Sequence, residues 1–181
     1  MTTGRAMPPS ATLHLISGLP CAGKTTYAEH LKKKRDAALF SLDRWLITSF
    51  GRYTLDTAGY AEHARRLYAC RELVWSAAEE LLRRDADVIL DDGFFRRRDR
   101  EHHVELARKL GARTTIHFID TPVDLVRAQL AARNRDPGEY HFDITPEILD
   151  ICLAFFETPS QDEGADLIIV RRSESGPDPS V

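Results

Sequence analysis

Cysteine is scarce. Cys21, Cys70 and Cys152 are the only three in 181 residues, and no two form a CxxC pair. That spacing excludes a disulfide framework and a cysteine-built zinc site, and it fits a reducing cytoplasm. No apolar run approaches the roughly 20 residues of a membrane span. The opening MTTGRAMPPS lacks the apolar segment of a signal peptide, so no secretory leader is expected. Positive charge is not in excess: Lys and Arg number 25 against 28 Asp and Glu, a net charge of −3. A non-specific nucleic-acid binder would be more basic, so a polymer substrate is disfavoured without being excluded. There is no N-K-x-D segment to read guanine, no internal repeat, and no metal-ligand spacing among His102, His103, His117 and His141.

What is present is globular. Hydrophobic residues make up 43% of the chain, enough for one packed domain. Strands are expected at 11–17, 38–42, 87–90, 114–119 and 167–170. Helices are expected at 24–34, 43–49, 59–84, 98–110, 122–133 and 146–156, with a polar loop at 134–142. Strands alternating with helices imply an α/β fold with a parallel sheet covered on both faces. Residues 1–10 and 172–181 read as flexible tails around a domain at 11–171. In such sheets ligands bind beyond the carboxyl ends of the strands, so the residues just after each strand carry the functional reading.

After the first strand comes Gly18-Leu19-Pro20-Cys21-Ala22-Gly23-Lys24-Thr25, which matches G-x-x-x-x-G-K-[ST]. The glycines let the backbone wrap a phosphate, and the loop N–H groups and helix N-terminus point at the anion. Gly18, Pro20, Cys21, Ala22, Gly23, Lys24, Thr25 and Thr26 form the expected nucleotide-holding set. Lys24 is placed to reach the β- and γ-phosphates of ATP, and the Thr25 hydroxyl to ligate Mg²⁺.

The second strand ends at Ser41-Leu42-Asp43-Arg44-Trp45. A carboxylate there suits a base that takes the proton of an acceptor hydroxyl. Asp43 is that candidate, and a helix-capping role is compatible with it. Arg44 is placed to steer an anionic acceptor, and Trp45 reads as core. The third strand, Val88-Ile89-Leu90-Asp91, has the Walker B pattern, in which the aspartate holds Mg²⁺ directly or through water. Of the adjacent pair Asp91 and Asp92, one reads as structural. Arg96, Arg97, Arg98 and Arg100 follow, either as a site for an acidic acceptor or as a solvated helix start, with Arg100 the favoured site residue. Arg133, with Arg127 and Arg135 behind it, reads as a lid arginine closing over the triphosphate. Tyr53, Tyr60, Phe94 and Phe95 either line an acceptor pocket or pack the core.

Together, GLPCAGKTT, SLDRW, VILDDGFFRRRDR, LAARN and FFETPSQDEG resemble the small P-loop kinases related to zeta toxins, chloramphenicol phosphotransferase and polynucleotide kinase. The resemblance covers about 12–170. It implies a P-loop NTPase three-layer sandwich with a five-stranded parallel sheet ordered 2-3-1-4-5 and a short lid. It also implies ATP with Mg²⁺, Asp43 as the base that activates the acceptor, and a segment around 163–171, including Arg171, bordering the adenine. Ala128-Gln129-Leu130 departs from the Glu-Arg-Leu common in that group before the second lid arginine. The expected activity is γ-phosphoryl transfer to a hydroxyl of a small-molecule acceptor, with a nucleotide-dependent switch or a polynucleotide end kinase as alternatives. Acceptor and oligomeric state are not encoded in any motif.

Overall fold

The computed structural model describes residues 11–135, 142–173 and 176–177. The expected tail at 1–10, most of the polar loop and most of the C-terminal tail lie outside these residues.

The elements run β1 (Thr12–Ser17), α1 (Lys24–Arg35), β2 (Ala38–Ser41), α2 (Leu42–Phe50), α3 (Leu55–Ala58) and α4 (Tyr60–Arg83). Then come β3 (Val88–Gly93), α5 (Arg97–Lys109), β4 (Arg113–Asp120), α6 (Val123–Arg135), α7 (Pro146–Phe155), β5 (Asp166–Ser173) and β6 (Gly176–Pro177). Five parallel strands stand in the order β2-β3-β1-β4-β5, as the resemblance implies. The short β6 adds an antiparallel edge to β5.

Period-two alternation divides the strand side chains between two cores. Leu13, Leu15, Val88, Leu90 and Ile116 face Val74, Ala78 and Leu82 of α4 and Ala107 of α5. Ile16, Ile89, Ile119 and Val170 face Ala28 and Leu31 of α1, Val126 and Leu130 of α6, and Leu149 of α7. A third cluster of Leu42, Leu46 and Cys70, with Phe142 against it, joins α2 to α4.

Local chemistry sets the helix starts. The Thr145 hydroxyl accepts from the Ile148 N–H at 3.3 Å, and Pro146 opens the first turn of α7. Thr54 and Thr57 bond reciprocally, each N–H to the other hydroxyl, and set off α3, a short helix the sequence pattern did not suggest. β5 runs three residues past the expected end at Val170, because β4 pairs as far as Arg171 and β6 pairs Arg172 and Ser173. The polar Arg172-Ser173 reads as the start of a tail but is strand.

The α1-facing core holds one polar chain. The Tyr27 hydroxyl lies 2.8 Å from His117 Nδ1, and His117 Nε2 lies 2.9 Å from His14 Nδ1. Asp87 Oδ2 is 3.7 Å from His14 Nε2, and Asp87 Oδ1 accepts from the Thr12 N–H at 2.7 Å. The tautomers that turn an N–H toward Asp87 have Tyr27 donating to His117 and His117 donating to His14. Both imidazoles are almost fully buried. Burial, then the neighbouring His14 and Arg35, pushes the His117 pKa down to about 3. Burial likewise lowers that of His14, against the opposing pull of Asp87.

Depressed histidine pKa values make stability fall in acid. The unfolded chain takes up protons near pH 6.5, whereas folded His117 resists until about 3. Its contribution is therefore complete above pH 6.5 and is lost as pH falls toward 3, at no more than about 1.4 kcal/mol per pH unit per histidine. Chemical denaturation between pH 7.5 and 4.5 is expected to show this slope, and His117→Gln to flatten it. An equal slope in both proteins would rule out histidine control.

Candidate functional site

The phosphate loop leaves β1 beside the end of β3 and is tied there. The Gly18 N–H donates to the Gly93 carbonyl at 3.1 Å, and the Ser17 hydroxyl to the Phe94 carbonyl at 3.2 Å. Gly18 is required by space and Gly23 by backbone angle. A Cβ on Gly18 would lie 2.9 Å from the Ile119 carbonyl oxygen. One on Gly23, at φ +91°, would lie 1.4 Å from a guanidinium nitrogen of Arg172. Cys21 occupies the left-handed region at φ +60°. Within the loop, the Ala22 N–H bonds the Leu19 carbonyl, and the Tyr27 N–H bonds the Gly23 carbonyl as α1 begins. Pro20 is half-buried in the turn, and Thr26 is exposed on α1.

Lys24 donates to the Leu19 carbonyl at 2.7 Å. Burial lowers its pKa, while the negative charges of Asp91 and Asp43 raise it. The Thr25 hydroxyl donates to Asp91 Oδ2 at 2.8 Å, and Asp91 is buried. A hydroxyl and a carboxylate at this spacing form a hard oxygen pair, the donor type that Mg²⁺ takes. The two residues fit that ion. Asp92, next along β3, points elsewhere and receives Arg71 in a two-bond clasp at 2.7 and 2.9 Å. It is the structural member of the pair.

Asp43 is the second residue of α2 and does not cap it, since Ser41 holds the cap position. Asp43 is an exposed residue whose carboxyl is crowded on its protein side. Desolvation by that crowding is the main cause that pushes its pKa up to about 6. Lys24 opposes the rise, Asp91 and Asp92 add to it, and Arg133 opposes it. Water at the open mouth tempers the desolvation, and a ligand filling the cleft would remove that water. Arg44 is exposed beside it.

Arg133 donates to the Phe142 carbonyl at 3.1 Å, and its charge reaches both Asp43 and the Cys21 thiol. Arg127 is paired with Asp150 of α7 at 2.6 Å, and Arg135 folds back on the Ala131 carbonyl. Of the three, Arg133 is the one whose charge bears on Asp43.

Two expected site residues are placed otherwise. Arg100 has no exposed surface and forms two bonds with Glu163, at 2.6 and 2.7 Å. Its remaining guanidinium nitrogen bonds the Phe94 and Glu157 carbonyls. It is buried and bound to the protein through all three guanidinium nitrogens. Arg171 is exposed on β5, whereas Arg172 bonds the Ala22 carbonyl at 3.3 Å and covers Gly23. Adjacent strand residues point to opposite faces, so the offset of one residue decides which arginine meets the loop. Arg172 Nε is buried without a hydrogen-bond partner among the described residues. Sequence reading missed Arg172 because the segment looked like a tail, and missed Glu163 because its partner lies 63 residues away.

A phosphate loop at the head of a 2-3-1-4-5 sheet, with the second-strand aspartate opposite it, defines a small P-loop kinase-like protein. The sequence matches the AAA domain family over residues 13–159, and the chain belongs to that family. No curated protein sequence matches it significantly. The fold is similar to that of a candidate kinase from Chloroflexus aurantiacus j-10-fl, at TM-score 0.70 and 18% identity over 92% of this chain and 90% of that one. It is also similar to Kti12 from Chaetomium thermophilum, solved with ADP-AlF3, at TM-score 0.66 and 17% identity over 90% and 92%. A third similar structure is the APS kinase CysC of Mycobacterium tuberculosis with AMPPNP and APS, at 0.56 and 18% over 92% of both. Among the described residues no helix is long and apolar enough to cross a membrane.

Removing one partner of a buried ion pair strands the other charge. Arg100→Ala and Glu163→Gln are each expected to cost about 3–5 kcal/mol of unfolding free energy in urea titrations. Arg171→Ala, on the exposed face, is expected within about 0.5 kcal/mol of the parent. Stable Arg100→Ala protein with selectively lost transfer would restore Arg100 to the site.

Proposed function

We propose that this chain is an ATP-dependent phosphotransferase that moves the γ-phosphoryl group to a hydroxyl of a small-molecule acceptor. The observation that carries the reading is the position of Asp43, directly after β2 and near enough to Lys24, Asp91 and Arg133 for their charges to bear on its carboxyl. A switch has no use for a proton acceptor at that place. A kinase needs one that is ionised near neutral pH yet basic enough to take a proton.

In this reading Asp43 accepts a hydrogen bond from the acceptor hydroxyl and then its proton. The acceptor oxygen bonds to the γ-phosphorus as the bond to the bridging oxygen breaks, leaving ADP. Lys24 and the loop N–H groups hold the charge that develops on the phosphates, and Arg133 approaches from the lid side. Mg²⁺, held by Thr25 and Asp91, would neutralise phosphate charge when bound. Arg172 fixes the Ala22 carbonyl and the turn at Gly23, which supports a positioning role toward the nucleotide. The arginine run after β3 gives no support to an end kinase. Arg96 faces Glu157, Arg97 binds Glu101 and Asp162, and Arg98 faces Asp99.

Two substitutions separate the roles. Lys24→Ala is expected to lower transfer from labelled ATP by at least about 10²-fold. Asp43→Asn is expected to lower it by about 10²–10⁴-fold while leaving the ATP Kd nearly unchanged. Because the carboxylate must be ionised, kcat/KM should rise with pH through about 6 in the parent protein. Loss of ATP binding in Asp43→Asn would make Asp43 a metal or structural residue. Slow hydrolysis indifferent to Asp43, with no acceptor labelled, would favour a nucleotide-dependent switch.

A further inference from the structure

A cavity of about 220 Å³ opens between the end of α2 and the segment that leads into α7. Arg52, Tyr53, Thr54, Thr57, Phe142 and Asp143 line it. Of the four aromatic candidates read from the sequence, only Tyr53 is here. Phe94 is buried core, Tyr60 is exposed, and Phe95 packs on Phe156.

The walls have a definite chemistry. The Tyr53 and Phe142 rings meet edge to face, 5.1 Å between centroids, and form an aromatic corner. The Tyr53 hydroxyl lies 3.0 Å from His63 Nδ1, so the ring rather than the hydroxyl is what Tyr53 offers. Arg66 stacks on Tyr53 at 4.6 Å and is held by Glu62 at 2.7 Å. Thr54 and Thr57 brace each other, so the rim is ordered before a ligand arrives. One arginine and one aspartate leave the lining with no net charge.

Size and charge narrow the ligand. Drug-sized ligands take about 300–1,000 Å³, and this cavity is smaller. It suits one ring and not a sugar nucleotide. The arginines after β3 that an acidic acceptor would use already face carboxylates. An aromatic corner covers the C–H face of a saturated ring, while Arg52 and Asp143 suit its hydroxyls. Two lining residues connect the cavity to the transfer groups. The Phe142 carbonyl holds Arg133. Burial raises the Tyr53 pKa, Arg66 lowers it, and the charge of Asp43 is among the further causes that raise it, so Asp43 is within electrostatic reach.

We propose that this cavity is the acceptor site, and that its acceptor is a neutral, polyhydroxylated single-ring compound such as a monosaccharide or cyclitol. This rests on the phosphotransferase reading above. One ring hydroxyl faces Asp43. Its oxygen bonds to the γ-phosphorus, its proton passes to Asp43, and the bond from the γ-phosphorus to the bridging oxygen breaks. The products are a ring monophosphate and ADP.

The test separates binding from transfer. Saturation-transfer NMR without nucleotide and transfer from labelled ATP are run on the same panel. The panel holds hexoses, pentoses and inositol, then sugar acids and hexose phosphates, a nucleoside diphosphate sugar, and a 5′-hydroxyl oligonucleotide. A neutral ring is expected both to bind and to be labelled. Tyr53→Ala should then raise its KM about ten-fold or more with kcat and the ATP Kd nearly unchanged, and Tyr53→Phe should restore KM. Labelling only of an anionic compound or the oligonucleotide overturns the acceptor class and leaves the transferase reading standing. A neutral ring bound in a Tyr53-dependent way but never labelled overturns the transferase reading and upholds the ligand class of the cavity. Neither binding nor transfer of a neutral ring, with no other acceptor labelled, overturns both.

Discussion

The site depends on one ion pair that touches no ligand. Arg100 and Glu163 are both fully buried, and the desolvation of two such charges is offset only when every remaining donor is satisfied. Here each guanidinium nitrogen is bonded: two bonds join the pair, and the third nitrogen holds the Phe94 and Glu157 carbonyls. The Glu157 N–H returns a bond to Phe95, closing the loop before β5 onto the turn after β3. Phe94 sits in the left-handed region at φ +42°, a conformation that costs about 1–2 kcal/mol for a residue with a side chain. Its carbonyl accepts from Arg100 and from Ser17 at once. That shared carbonyl carries the rigidity of the ion pair to the mouth of the phosphate loop.

With β3 anchored in this way, its two aspartates divide the work by strand geometry. Asp91 faces the loop and meets Thr25, whereas Asp92 faces α4 and meets Arg71. Exporting the second carboxylate to its own cation leaves the cleft with Asp43, Asp91 and Lys24 as its central charges. Asp43 and Asp91 each oppose the lowering of the Lys24 pKa that burial causes. Lys24 in turn restrains the rise at Asp43. The two carboxylates thus offset part of the lysine's desolvation, while the lysine holds down the rise at Asp43.

The parts of this site that lie in contiguous sequence were legible, and the parts made by distant pairing were not. The phosphate loop is a local pattern between a strand and a helix, so Lys24 and Thr25 could be placed from spacing alone. The ends of β2 and β3 gave Asp43 and Asp91 because parallel sheets gather strand ends. The sheet order came from the resemblance to known kinases. Arg100 was legible as a noteworthy residue but not as a buried one, since its partner comes from a segment far along the chain. Arg172 was lost to a boundary error, because polar residues at the end of β5 look like a tail when the strand that orders them cannot be seen. Trp45 was read correctly as core, packing on the cluster around Leu13 and Leu15.

Charge runs mislead for the same reason, and the contrast with Lys24 shows what a functional cation looks like. Arg96, Arg97, Arg98 and Arg100 suggest an anion site when counted along the chain, yet each faces a carboxylate of this protein. An arginine already paired must break a charge-assisted bond before it can take a ligand, and the buried one would also strand Glu163. The bond Lys24 makes is to a main-chain carbonyl of its own loop. A neutral acceptor of that kind is exchanged for a phosphate oxygen at a gain, because the charged pair is the stronger one. The two aspartates near it oppose the lowering of its pKa by burial. A cation bonded to a neutral carbonyl, in the field of two carboxylates, suits the phosphate-holding role proposed for Lys24.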